Sequence, residues 1–146
     1  MEEVKFYDTV DDSLLKFAVI VAKCDGKWVL CKHKERDTYE AAGGHREKGE
    51  KIIDTAKREL YEETGAVEYD LIPVCIYSVS GKDEETYGML YYADIRILGE
   101  LPQFEIEKVY LFEDLPSDWT YPHIQPKLIN KVKEQIFRKA EERFSY

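Results

Sequence analysis

The chain has 146 residues, 44% hydrophobic and 35% charged, and its 30 acidic against 21 basic side chains give a net charge of −9. A chain of that length buries about two-thirds of the surface its unfolded state exposes, which suits one domain over residues 1–146. No apolar run approaches membrane-spanning length, and the acidic balance argues against nucleic acid or an anionic membrane as partner, since both need a basic face.

The first sixteen residues are acidic and lack the basic and apolar regions of a secretion signal, so a cytoplasmic location is expected. Cys24, Cys31 and Cys75 are odd in number and sit in apolar runs, which reads as buried free thiols. No paired Cys/His spacing suggests zinc.

In chain order, Phe6 and Tyr7 mark a short edge strand or arm. Phe17 to Lys23 is almost continuously apolar, as in a strand covered on both faces. Asp25-Gly26 is a two-residue hairpin signal, with Lys27 to Lys32 as the returning strand. A polar loop leads to Tyr39-Glu40-Ala41-Ala42-Gly43-Gly44, where the paired glycines let the backbone turn and approach a ligand. His45, alone in that loop, reads as a surface residue.

A helix follows from the Lys48 to Lys51 region to Gly65, a natural left-handed cap. At 100° per residue, Glu59 and Glu63 fall on the same stripe as Ile52, Ala56, Leu60 and Ile53, within about 120° of one another. Glu62 flanks that stripe. Core-facing carboxylates crowded together repel one another and lose hydration, so a positive group must lie between them. An oxygen-only set with no His or Cys suits Mg²⁺ or Mn²⁺. Arg58 can reach round to hold one carboxylate in place.

Beyond the helix, Val67 to Ser80 is strand-like, with Pro73 marking a bulge or an edge. Tyr87 to Ile97 and Glu107 to Phe112 are further strands. Pro126 opens a second helix running towards Arg143, with Leu128, Ile129, Val132, Ile136, Ala140 and Phe144 as its core stripe. The order predicts an α+β fold with a mixed β-sheet sandwiched between α-helices.

Gly44, five residues, Glu50, seven residues, then Arg58-Glu59-Leu60-Tyr61-Glu62-Glu63-Thr64-Gly65-Ala66 resembles the box of the Nudix hydrolase family. Seven fixed residues at ordinary usage would match by accident in far fewer than about one in 10⁵ chains of this length. Ala66 is smaller than the usual aliphatic residue there, and Ala42 stands where the family usually has proline.

The resemblance implies hydrolysis of a nucleoside diphosphate linked to some group X. It also implies that Glu59, Glu62 and Glu63 ligate divalent ions together with the Gly43 carbonyl, that Arg58 orients the cluster, and that Glu50 braces Arg58 or binds a further ion through water. A distal carboxylate is expected in the segment Glu105-Ile106-Glu107-Lys108-Val109, with Glu105 preferred over Glu107, which enters a strand. Glu59 or Glu105 is the general base, and Glu105 would join the metal ligands. Glu84 and Glu85, in an acidic loop, rank lower. For substrate binding the candidates are Tyr39, Gly44, Trp119 and Tyr121, with Tyr87 and His123 as further stacking groups and Tyr39 alternatively holding the glycine loop.

The resemblance leads us to expect a (d)NTP, oxidised or ordinary, as substrate, cleaved to a nucleoside monophosphate and pyrophosphate. Cleavage of ADP-ribose, a nucleotide sugar or a capped RNA end, and a non-catalytic nucleotide-binding module, are the alternatives. Homodimers are common in the family, although no stretch marks an interface.

Overall fold

The computed structural model describes residues 2–138. Its strands are β1 (Glu3–Tyr7), β2 (Leu15–Cys24), β3 (Lys27–His33), β4 (Tyr39–Glu40) and β5 (Ala42–His45), followed after the first helix by β6 (Ala66–Ser80), β7 (Glu85–Leu98) and β8 (Ile106–Phe112). Helix α1 spans Ile52–Thr64 and α2 spans Gln125–Val132, continued by a π-helical stretch, Lys133–Arg138.

The sheet is mixed. It runs β1-β6-β7-β2-β3-β4, with β5 also on β2 and β8 on β3. Only β2 and β7 are parallel; every other pairing is antiparallel. The β2–β3 hairpin turns through Asp25 (φ 53°) and Gly26 (φ 75°), the left-handed pair that a tight two-residue turn requires. Pro73 lies at a register break between β6 and β7, where a missing N–H does least harm.

Alternation along the central strands gives each helix its own core. Ile20, Ala22, Ala93 and Ile95 pack with Ala56 and Leu60 of α1. On the opposite face Val21, Leu90 and Tyr92 pack with Leu128, Ile129 and Val132 of α2. Leu60 and Leu128 are completely buried, each contributing roughly 1.5–3 kcal/mol. Cys31 and Cys75 are buried and Cys24 half-buried, all as free thiols. Ile53 departs from the expected stripe: standing in the first turn of α1, it is 37% exposed although Leu60 and Thr64, which flank it on the helical wheel, are buried.

The second helix is shorter as an α-helix than its periodicity predicts, since the backbone widens to π geometry after Val132. Ile136 still packs against the same core. Ala140, Phe144 and the expected end near Arg143 lie outside the described residues.

One detail positions the site. The edge of β2 facing away from β7 is shared: Ala22 to Cys24 pair with β3, whereas Phe17 to Ile20 pair with β5. Strand β3 diverges to meet β8, and the glycine-bearing β5 fills the fork beside α1.

Candidate active site

Helix α1 runs from the sheet fork and stops at Gly65, whose φ of 77° only glycine adopts readily and whose N–H bonds Tyr61 O at 2.9 Å. One face of α1 meets β5. On that face Arg58 is the hub. Its Nε and Nη2 bind the two oxygens of Glu50 at 2.8 and 3.0 Å, its Nη1 lies 2.8 Å from Glu59 Oε1, and its Nη2 also donates to His45 O at 2.9 Å. Glu62 and Glu47 stand at 3.5 and 3.6 Å from the same guanidinium.

Glu50 also accepts from Glu47 N–H and from the Thr55 hydroxyl. These bonds, the Arg58 pair foremost, hold its carboxyl down at about 2. Glu50 is therefore the brace that the sequence suggested.

Glu59 and Glu63 are in the opposite condition. Burial pushes both carboxyls above their ordinary range, Glu63 to about 8. Glu63 Oε1 accepts from Gly43 N–H at 2.7 Å. The contact observed for Gly43 is thus made by its amide, not by the carbonyl expected to face an ion. Gly44 leaves room for Glu59 as it stands: a Cβ there would overlap the Glu59 carboxylate, which would have to move.

A cavity of about 610 Å³ opens over this cluster. Gly43, Gly44, Arg58, Glu59 and Glu63 line one part of it, and Arg36, Glu40, Ala41, Tyr121, Ile124 and Gln125 line another. A second cavity of about 220 Å³ is walled by Glu59, Glu62, Glu63, Phe104, Glu105 and Ile106. Glu59, Glu63 and Glu105 border both. Glu105 is brought there by the start of β8, beside His33 Nε2 at 3.7 Å, while Glu107 pairs outward with Lys32 at 3.2 Å.

Two substrate-binding expectations are corrected. Tyr39 does not line the cavity; its ring packs edge-on against Tyr110 and Phe112, with centroids 5.2 and 5.0 Å away. Trp119 does not line it either, because its backbone bridges Tyr39 and its side chain joins the α2-side core. The β4 segment is instead fastened to this loop by Tyr39 N–H to Asp118 O and Thr120 N–H to Tyr39 O, at 2.8 and 2.9 Å. Tyr121 and Gly44 do line the cavity. His45 is exposed and lines it as well, its ring 4.4 Å from that of Phe17.

Neither Tyr87 nor His123 reaches it. Glu85 has a structural role, accepting from Tyr7, Ser78 and Tyr87 hydroxyls at 2.8, 2.6 and 2.7 Å.

The sequence reading missed Arg36, Glu40 and Gln125. Arg36 lies 5.9 Å from the Tyr121 ring centroid and 3.4 Å from Glu40. Burial raises the Glu40 carboxyl. Gln125, 6% exposed, accepts the Ala41 N–H at 2.8 Å. No periodicity marks any of the three; Glu40 alone sat inside a segment already singled out.

The donor chemistry around the shared wall fits a hard divalent cation: Glu59, Glu62, Glu63 and Glu105 offer carboxylate oxygens, and two of them are raised in pKa by burial. Among the described residues no three acidic, His or Cys groups converge as a ready cage. Glu59 is turned to Arg58, and Glu63 to the Gly43 amide.

The NUDIX domain model matches residues 13–132, spanning both helices and the whole carboxylate cluster. The chain belongs to the Nudix family. It is 33% identical over 117 residues to YtkD of Bacillus subtilis (strain 168), a proposed 8-oxo-dGTP diphosphatase, covering 80% of this chain and 73% of that one. The crystal structure of the Bacillus subtilis pyrophosphohydrolase BsRppH (E68A mutant) superposes with a TM-score of 0.78 at 29% identity, over 93% of this chain and 92% of that one. A Nudix hydrolase from Nitrosomonas europaea, at 18% identity and a TM-score of 0.60 over 90% and 97% of the two chains, shares the fold.

This Nudix protein is accordingly a hydrolase of acid anhydrides with pyrophosphohydrolase chemistry. Among the described residues no helix is long and apolar enough to cross a membrane.

Proposed function

We propose that this Nudix hydrolase cleaves a nucleoside triphosphate, ordinary or oxidised as in 8-oxo-dGTP, to a nucleoside monophosphate and pyrophosphate, with Mg²⁺ as its metal. The observation that carries the reading is the meeting of two cavities at Glu59, Glu63 and Glu105. A nucleoside occupies the larger cavity, and the polyphosphate crosses the acidic wall towards the smaller one. The similarity to YtkD supports the choice of substrate.

Glu59, Glu62, Glu63 and Glu105 would hold the divalent ion, which supplies charge neutralisation at the phosphoryl oxygens and acidifies a water. The chain's own groups do the rest. Arg58, fixed by Glu50, orients Glu59. Gly43 N–H orients Glu63. Tyr121 offers a ring for the base, worth about 1–3 kcal/mol of stacking. We assign the general base to Glu105, whose side chain is 78% exposed and stands 3.7 Å from His33 Nε2, whereas Glu59 is committed to Arg58.

The test is phosphate release from all (d)NTPs, 8-oxo-dGTP, ADP-ribose and UDP-glucose with Mg²⁺, with and without added pyrophosphatase. Phosphate that depends on pyrophosphatase, from one or more triphosphates, is the expected result. Signal from ADP-ribose or UDP-glucose alone, after phosphomonoesterase treatment, would replace the reading with a nucleotide-sugar pyrophosphatase. Silence on every substrate, together with a nucleotide-raised melting temperature, would make the protein a binding module.

A further inference from the structure

Gln125 is a buried amide with one end engaged and the other end left to the cavity. Its Oε1 accepts the Ala41 N–H at 2.8 Å. A backbone N–H can only donate, so the oxygen is fixed on that side and the Nε2 group on the other, whatever the ambiguity of amides in general. Among the described residues Nε2 has no hydrogen-bond partner, and no side-chain polar atom is both unpartnered and sealed from solvent. Nε2 therefore reaches the cavity that Gln125, Ala41, Ile124 and Tyr121 line.

The surrounding structure makes this a rigid reader. Gln125 is the first residue of α2, and its own N–H bonds Tyr121 O at 3.0 Å, so ring and amide share one turn of chain. Leu128 and Ile129, three and four residues further along α2, are buried to 0% and 1% exposure and anchor that turn in the core. Arg36 also stands beside Tyr121, its Cζ 5.9 Å from the ring centroid. A side-chain NH₂ is a donor and nothing else. It satisfies a carbonyl oxygen and meets an exocyclic amino group as donor against donor. A buried polar group that a ligand leaves unpaired costs more than a missing contact, which makes such groups strong discriminators.

We propose that Gln125 is a specificity-determining residue that selects keto bases, through a hydrogen bond from Nε2 to guanine O6 or to thymine or uracil O4, over bases that carry an amino group or hydrogen there. This assignment rests on the nucleoside triphosphate reading above and adds the chemistry of the base to it.

The test uses size-matched pairs, so that stacking cancels: dGTP against the 2-aminopurine deoxynucleoside triphosphate, which lacks only the six-oxo group and its associated imino proton, and dUTP against dCTP. In the wild-type protein kcat/KM is expected to favour the keto member by about tenfold or more in whichever pair is accepted. Gln125→Glu keeps an oxygen for the Ala41 N–H and replaces the donor with an acceptor. It is expected to bring the ratio to one or below, with the loss confined mainly to the keto member.

Turnover of the triphosphates with wild-type ratios near one, or with ratios unchanged in a folded Gln125→Glu protein, overturns the assignment while leaving the proposed function standing. Turnover of none of them, nor of any other (d)NTP or 8-oxo-dGTP, overturns both. Should the variant fail to fold, the wild-type ratios decide alone.

Discussion

Arg58 grips Glu50 with two parallel bonds, at 2.8 and 3.0 Å, across eight residues of chain. The side-chain surfaces of Arg58 and Glu50 are only 24% and 14% exposed, so the pair is tighter than a surface contact. Its consequence is directional. With Nε and Nη2 occupied by Glu50, only Nη1 remains for Glu59, which pins one carboxylate of the cluster at the cavity wall that both residues line.

Glu50→Gln tests that brace. The carboxyl's folded pKa of about 2 lies below its ordinary 4.5, so its contribution to stability is present above about 4.5 and disappears as pH falls through about 2. At pH 7 the substitution is expected to cost about 1–2 kcal/mol, discounted for screening, in urea unfolding. Near pH 2 the variant and the wild type should unfold alike. Turnover should fall as well, since Arg58 is then free to swing from Glu59.

Gly44→Ala separates packing from chemistry. The new methyl group would occupy the space of the Glu59 carboxylate, whereas the backbone of Gly44 has no positive φ to lose. Turnover is expected to fall at least as far as a tenfold change in kcat, with melting temperature little altered. Glu59→Gln should reduce turnover by orders of magnitude in the same assay while the fold survives. A Gly44→Ala protein with wild-type kcat would mean that the position of Glu59 is unimportant.

How much of this was legible in the sequence depends on whether the signal was local. The box helix was, because the spacing of Glu59, Glu63, Ala56 and Leu60 and the stop at Gly65 are written within one element. The Asp25-Gly26 turn and the choice of Glu105 over Glu107 were also local. Tyr39 and Trp119 were misjudged because an aromatic residue before a glycine loop or a helix looks the same whether its ring meets substrate or Tyr110 and Phe112. That choice is made by β8 and by the backbone bridge between Tyr39 and Trp119, 80 residues apart in sequence. Gln125 carries no charge and no periodic pattern, so only the tertiary bond to Ala41 singles it out.

The same distinction predicts opposite effects for two tyrosines. Tyr121→Ala should raise KM for the preferred nucleotide by roughly five- to a hundredfold, the equivalent of about 1–3 kcal/mol of stacking, with kcat changed less. Tyr39→Phe removes a hydroxyl that lies outside the cavity and should leave both constants near wild type. Steady-state kinetics on the two variants checks the placement, and a large KM effect at Tyr39 would return it to the substrate site.

Glu85 fastens three strands at once, through Tyr7 of β1, Ser78 of β6 and its own neighbour Tyr87 on β7. Those hydroxyls, Ser78 first, hold its carboxyl at about 2. Its support for the edge of the sheet is therefore complete above about 4.5 and lost as pH falls through about 2. Glu85→Ala should lower the melting temperature at pH 7 and speed amide exchange in β1, with kcat retained. Loss of turnover without loss of stability would give this loop a catalytic role instead.

Glu63 presents the reverse sign. Burial raises its folded pKa to about 8 against an ordinary 4.5, so the metal-free protein carries no penalty from this group below about 4.5 and a growing one as pH rises towards 8. Melting temperature measured in EDTA should fall over that interval more steeply for wild type than for Glu63→Gln, which keeps the volume and cannot ionise. Added Mg²⁺ should raise the wild-type melting temperature most at the alkaline end, where the carboxylate is available as a ligand, and should do little for the variant. A gain in metal-free stability joined to a loss of turnover is what a residue held in an unfavourable place for its chemistry produces. Equal pH slopes for the two proteins would mean that Glu63 is ionised without cost and is not the buried member of the cluster.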